Sequence, residues 1–297
     1  MPGRWSAPGF APFRQRLAAL EPLVSAARLD RLNAAAREAG LLSGSGRRLR
    51  FVPQSSAITS GPGPGPSASA GVAVTPGYEA RIFDTGEVPT RIDGPGERHD
   101  LYNAIVWLTF PRAKARLNAL QADRQRSSPD RDATEAVLGG HAPDPVRSQR
   151  GPLRDAATLF DENAALWIGM DASLEAALRA FDWRELFVRR RAQLGDAVRL
   201  MVFGHALLEK LESPYKGITA HAWPLRVATD ASSAEIDQAL SLALDADTLS
   251  TRALCPLPVM GFPGWCAANA EPHFYDDPAV FRSGRRGGGS ASASLPF

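Results

Sequence analysis

The sequence is short of lysine and cysteine, and it contains no long apolar run. Lysine occurs only at positions 114, 210 and 216, so almost all of the basic charge is arginine. That skew is read as coding bias rather than phosphate recognition. A net charge of +2 over 297 residues gives no global reason to bind nucleic acid or an anionic membrane, and neither is expected as a partner. Cys255 and Cys266 form no CxxC pair, and two cysteines alone supply neither a disulfide framework nor a zinc site. They are expected to be free thiols in a cytoplasmic protein. No stretch reaches the length of about 18 apolar residues that a spanning helix needs, and the N-terminal residues lack the apolar core of a secretory signal. The P-loop, the dinucleotide fingerprint, the GxSxG elbow and HExxH are also missing. Their absence argues against the commonest nucleotide enzymes, serine hydrolases and zinc peptidases.

What remains has the composition of an ordinary folded chain, 44% hydrophobic and 22% charged, and is long enough to bury a substantial core. Phe13, Leu17, Leu20 and Leu23 recur at helical spacing, as do Leu29, Leu32 and Ala36. LRFVPQ (49–54) reads as a strand, and YEARIFDTGEVPTR (78–91) as a strand broken by a turn. HDLYNAIVWLTF and, from Pro111, PRAKARLNALQ read as two helices. DAATLFDENAALWIGM (155–170) reads as a hairpin or a strand-turn-helix entry with its turn at Asp161-Glu162-Asn163. Residues 183–212 read as one long or two broken helices. KGITAHAWPLRV is a strand, SSAEIDQALSLAL a helix, and the Pro- and aromatic-rich stretch after Cys255 an extended cover for the core. Strands and helices do not alternate, so a doubly wound sheet is not supported. The expected fold is α+β, a mostly helical single domain over 11–282. It is flanked by a flexible N-terminus (1–10) and a disordered tail (283–297), with loop insertions at about 61–77 and 122–152 that lack a hydrophobic period.

Several polar clusters stand out. In FGHALLEKL, His205 and Glu209 are four residues apart in a strip flanked by apolar positions. This spacing allows a general base oriented by a carboxylate, two metal ligands, or a buried structural pair. In HDLYN, Asp100 is placed as a helix cap, which leaves His99 beside a helix N-terminus suited to an anion. Asn103 lies four residues from His99, and Lys114 and Asn118 repeat that spacing on the next helix. The competing reading there is capping plus a surface hydrogen bond. His221 lies on a strand close in sequence to Lys216, where a satisfied histidine is the ordinary case. Asp161, Glu162, Asp276 and Asp277 offer further carboxylates, in dipeptides that also make turns.

Taken together, YEARIF, GEVPTR, HDLYNAIVWLTFPRAKARLN, RDAATLFDEN, FGHALLEKLESPYKGITAHA and PLPVMGFPGWCAANAEPHFYDD resemble the proteobacterial domain-of-unknown-function 3025 family over roughly residues 11–282. Cys266 stands where that family suggests a tryptophan, and Ala164 where it suggests a glycine. The resemblance implies no chemistry. It does mark His99, Asp100, Asn103, Arg112, Lys114, Asn118, His205, Glu209, Lys210 and Lys216 as motif residues. The leading expectation is a hydrolase-type enzyme whose pocket lies between residues 100–120 and 196–212. His205, Glu209, His99 and Asp100 would act there as catalytic groups. Asn103, Arg112, Lys114, Asn118, Lys210, Lys216 and His221 would bind a small anionic molecule. Metal, cofactor and oligomeric state stay open. A non-catalytic domain binding an anion or a protein is the alternative, and nucleic-acid binding through Arg189, Arg190 and Arg191 a weaker one.

Overall fold

Every side chain of the pentapeptide Ala164–Ile168 is buried, so this segment must be covered on both faces and flanked on both edges. The computed structural model, which describes residues 5–54, 77–126 and 152–282, shows how. The strands are β1 (Arg50–Pro53), β2 (Glu87–Thr90), β3 (Ala164–Ile168), β4 (Arg199–Val202), β5 (Thr219–Leu225) and β6 (Cys255–Pro258). Four of them form a sheet in the order β4-β3-β5-β6. Here β3 runs parallel to β5, and the outer pairs are antiparallel. β1 and β2 form a separate parallel ribbon.

Around these strands lie α1 (Arg14–Leu20), α2 (Ser25–Glu38), α3 (Tyr78–Thr85), α4 (Glu97–Thr109), α5 (Pro111–Arg126), α6 (Pro152–Asn163), α7 (Ala172–Arg179), α8 (Arg191–Ala197), α9 (His205–Leu211) and α10 (Ser233–Ala243). The fold is α+β and dominated by helices. Local chemistry sets several boundaries. Asp171 accepts from the backbone N–H groups of Ser173 and Leu174 to start α7, and Ser232 with Glu235 forms a capping box on α10. Trp107, Phe110, Phe160, Trp167 and Phe203 belong to one continuous core cluster. Among the described residues no helix is long and apolar enough to cross a membrane, and both cysteines are unpaired.

Five expectations are corrected. Residues 78–85 are helical rather than extended, because Gly86 at φ +74° provides a left-handed C-cap before the chain enters β2. Residues 152–163 form α6, which runs straight into β3. Leu153, Ala156, Ala157 and Phe160 are its buried stripe, a helical period that the acidic DEN turn signal masked. The stretch 183–212 is not purely helical, since Leu200, Met201 and Val202 form an edge strand against β3. Asp100 does not cap α4: Gly96 is the cap residue, and the Asp100 carboxylate instead accepts from the backbone N–H of Arg91 at 2.7 Å. Residues 8–10, expected in a flexible end, form a turn with Phe10 fully buried. Most of the expected insertions and the tail fall outside the described residues. α5 extends to Arg126 and α6 begins at Pro152, so helix occupies both margins of the 122–152 stretch.

Candidate metal centre

The end of β4 lies against the start of β3, where the backbone N–H groups of Phe203 and Gly204 both donate to the Ala164 carbonyl. Gly204 then passes so close to the last turn of α6 that a Cβ there would sit 2.4 Å from the Glu162 carbonyl oxygen. Only glycine permits that approach. The next residue, His205, is the first of α9 and is carried directly beside Asp161 and Glu162. α4 packs across α9 and brings His99 to the same point.

The result is a triangle of donor atoms. His205 Nε2 lies 3.0 Å from His99 Nε2, 3.7 Å from Glu162 Oε1, and the third side, His99 Nε2 to Glu162 Oε1, is 4.0 Å. Ligands about 2.1 Å from one divalent ion are spaced roughly 3.0–3.4 Å apart, so the two imidazoles are already at ligand separation. Glu162, which is half-exposed, needs to move by about 0.5 Å to complete the set. His99, Glu162 and His205 form a group able to hold a metal ion among the described residues. Without an ion, one Nε2 carries a proton and donates it to the other.

Each imidazole has a carboxylate behind it. Glu209 Oε2 stands 3.3 Å from His99 Nδ1, and Asp161 Oδ2 stands 3.8 Å from His205 Nδ1. His205 Nδ1 is buried without a hydrogen-bond partner. Behind Asp161, the buried ammonium of Lys114 donates to Asp161 and, at 3.0 Å, to Asn103 Oδ1. Asn103 in turn donates to the Tyr78 hydroxyl.

Burial lowers the His205 pKa to about 4, outweighing the pull of Asp161, and keeps the ring neutral. Burial would raise Asp161, but Lys114 and His205 overcome it and hold the carboxyl below its ordinary range. Burial raises Glu162, partly offset by His99. Glu79 is pushed up to about 7 by burial and by Asp161.

The triangle opens into a cavity of about 360 Å³ lined by Tyr78, Glu79, Arg91, Asp100, Asn103 and Arg154, among others. The structure thus brings His99, Asp100, Asn103, Lys114, His205 and Glu209 into one neighbourhood. Glu209 serves His99 rather than His205, whose ring instead meets His99, Asp161 and Glu162.

The other expected residues lie elsewhere. Asn118 bridges Gly44 and Glu79, and Arg112 offers its backbone N–H to Asp237. Lys210 donates to Asn163. Lys216 pairs with Asp277 over the Phe274 ring. His221 faces Ala164 and Pro256 across the sheet and does not line the cavity. As a corner of the donor triangle Glu162 was not singled out by the sequence, nor were Arg154 and Thr158 as cavity residues. All three recur every fourth position on α6, a signal visible once 152–163 is read with a helical period.

A family model described as Protein of unknown function (DUF3025) matches residues 68–285. The chain belongs to the DUF3025 family. No curated protein and no solved structure matches it. The match starts well after residue 11, so α1, α2 and β1 lie outside it. All three corners of the donor triangle lie within it, as do both carboxylates behind the imidazoles.

Proposed function

We propose that this DUF3025 protein is a metal-dependent hydrolase of small molecules, with His99, Glu162 and His205 as the ligands. The observation that carries the reading is the 3.0 Å approach of two imidazole Nε2 atoms beside a carboxylate, with a second carboxylate facing the far nitrogen of each ring. Metal-bound histidines characteristically give their other N–H to such groups, which fixes the tautomer and the ring plane. Two neutral imidazoles and one carboxylate suit Zn²⁺, Mn²⁺, Fe²⁺ or Co²⁺. A bound divalent ion would supply Lewis acidity and acidify a water.

The chain's own groups have separable tasks. Asp161, held ionised by Lys114, and Glu209 orient the two rings. Glu79, pushed up to about 7 and so close to half protonated at neutral pH, faces the same cavity and is assigned to hold a proton for a leaving group. The alternative, a non-catalytic binding site on the same residues, shares the metal but shows no turnover.

Stripping the protein with a chelator and titrating it with Zn²⁺, Mn²⁺ and Co²⁺ by calorimetry tests the reading. One ion per chain is expected. His99→Ala, Glu162→Gln and His205→Gln should each cut affinity by roughly 100-fold or more while circular dichroism stays unchanged. Unaltered affinity in all three variants would remove these residues from the ligand set. A panel of ester, amide and phosphoester substrates then separates hydrolase from binding protein.

A further inference from the structure

The cavity beside the donor triangle has walls of uneven charge. Its lining carries four carboxyl groups, from Glu79, Asp100, Asp161 and Glu162, and two guanidinium groups, from Arg91 and Arg154. The carboxyls are mostly engaged: Asp161 with Lys114, Glu79 with Asn118, Asp100 with the Arg91 backbone and side chain, and Glu162 facing the two imidazoles. Arg154, half-buried in the first turn of α6, makes no ion pair or hydrogen bond with any described residue. A planar guanidinium matches a carboxylate or phosphate with two parallel hydrogen bonds. One left unpaired in a cavity whose own acids are otherwise occupied is available to an incoming anion.

The helix sets the distance. Arg154, Thr158 and Glu162 recur every fourth residue on α6 and all line the cavity. At 1.5 Å per residue their outermost α-carbons are about 12 Å apart along the axis. Helical side chains lean toward the N-terminus, so the Arg154 guanidinium stands on the order of 10–15 Å from the Glu162 carboxylate. Arg91 comes from the segment before α4, where its guanidinium packs against Gly96 and faces Asp100 at 3.8 Å.

We propose that Arg154, with Arg91, forms an anion subsite that binds a terminal carboxylate or phosphate of the substrate. The reacting group lies at the His99–Glu162–His205 centre. This rests on the hydrolase reading and narrows it to small molecules with an anionic end separated from the scissile bond by a short spacer. It also assigns recognition to α6 rather than to Arg112 and Lys216, which face other parts of the molecule.

Calorimetric titration of the full-length Mn²⁺-loaded protein with adipate, 4-phosphonobutyrate and acetate tests the subsite. The two long probes carry anions at both ends, and acetate carries one. Adipate or 4-phosphonobutyrate should bind at least tenfold more tightly than acetate, and the better of the two identifies the terminal group. Arg154→Met should erase that preference while acetate and Mn²⁺ affinities stay within twofold of wild type. Arg154→Lys, which keeps the charge without the fork, should retain part of it. Long probes no tighter than acetate in the wild type, or unchanged in Arg154→Met, would overturn the subsite and leave the metal centre standing. Loss of Mn²⁺ binding in Arg154→Met would make Arg154 a support of the centre and overturn the subsite as well. Failure of the wild type to bind Mn²⁺, Zn²⁺ or Co²⁺ would overturn both readings together.

Discussion

Two buried polar networks, one under the C-terminal segment and one around His205, are built differently. Under the C-terminal segment, Asn269 donates to the carbonyls of Met260 and Phe262 and accepts from Arg191. The single Tyr275 hydroxyl hydrogen is shared between the carbonyls of Gly261 and Asn269, and the oxygen accepts from Arg191. No buried side-chain polar atom of Asn269 or Tyr275 lacks a partner, and the Phe187 ring stacks on Tyr275. Around His205, by contrast, a ring nitrogen is buried without a partner. Carboxyl groups there are pushed in opposite directions, and two imidazoles meet nitrogen to nitrogen. A satisfied network spends its polarity on holding one conformation. An unsatisfied one retains binding capacity that the fold does not use, which is the physical mark of a site.

The largest effect that tests this contrast is on the satisfied side. Asn269→Ala removes two hydrogen bonds to buried carbonyls and strips Arg191 of an acceptor. It should cost about 3–4 kcal/mol in urea unfolding and leave metal affinity unchanged. A loss under about 1 kcal/mol would mean that the C-terminal network is not structural.

The next effect is acid sensitivity. The His205 pKa falls from 6.5 to about 4 on folding, so the unfolded chain binds the extra proton. The stability of the neutral buried ring is complete above pH 6.5. It is lost as pH drops towards 4, by about 3 kcal/mol. Glu79 opposes this. Its raised folded pKa stabilises the protein fully below about pH 4.5, and that contribution fades as pH rises through about 7. The two contributions nearly offset each other in the wild type between about pH 6.5 and 4.5, so Glu79→Gln should expose a loss of stability on acidification and His205→Gln a gain. Parallel pH profiles for wild type and both variants would show that neither group titrates as described.

The smallest effect concerns the groups behind the imidazoles. Glu209→Gln keeps the shape but weakens the acceptor for His99 Nδ1, and should reduce metal affinity by about 10-fold to 100-fold with stability altered by less than about 1 kcal/mol. Asp161→Asn should act through His205 in the same sense but also destabilise, because it leaves the Lys114 ammonium buried without its counter-charge. Equal stability losses from the two substitutions would erase the distinction between an exposed and a buried supporting carboxylate.

Much of this architecture can be read from local patterns. The proline that opens α5, the Asp171 cap and the Ser232–Glu235 box are all short-range signals, and each lies where its chemistry predicts. The errors cluster at junctions without spacers, as where α6 passes into β3 at Asn163–Ala164, or at the strand β4 wedged between two helical segments. An edge strand of four residues gains its stability from pairing with β3, which no local period records. The site was legible in part. His99, Asp100, Asn103, Lys114, His205 and Glu209 were identifiable as residues of interest, but their partners were not.

The periodicity of apolar side chains, the caps and the turn residues decided which segments are helical and which residues face the core, because those preferences act within a few positions of the chain. Which carboxylate meets which histidine was settled only by tertiary packing. His205 and Glu209 share a helix, yet Glu209 reaches His99, 110 residues away, and His205 is set beside Asp161 and Glu162 by the close passage of Gly204. Such contacts depend on the crossing of α4, α6 and α9 over the end of one sheet. That crossing is fixed by the buried faces of several elements at once.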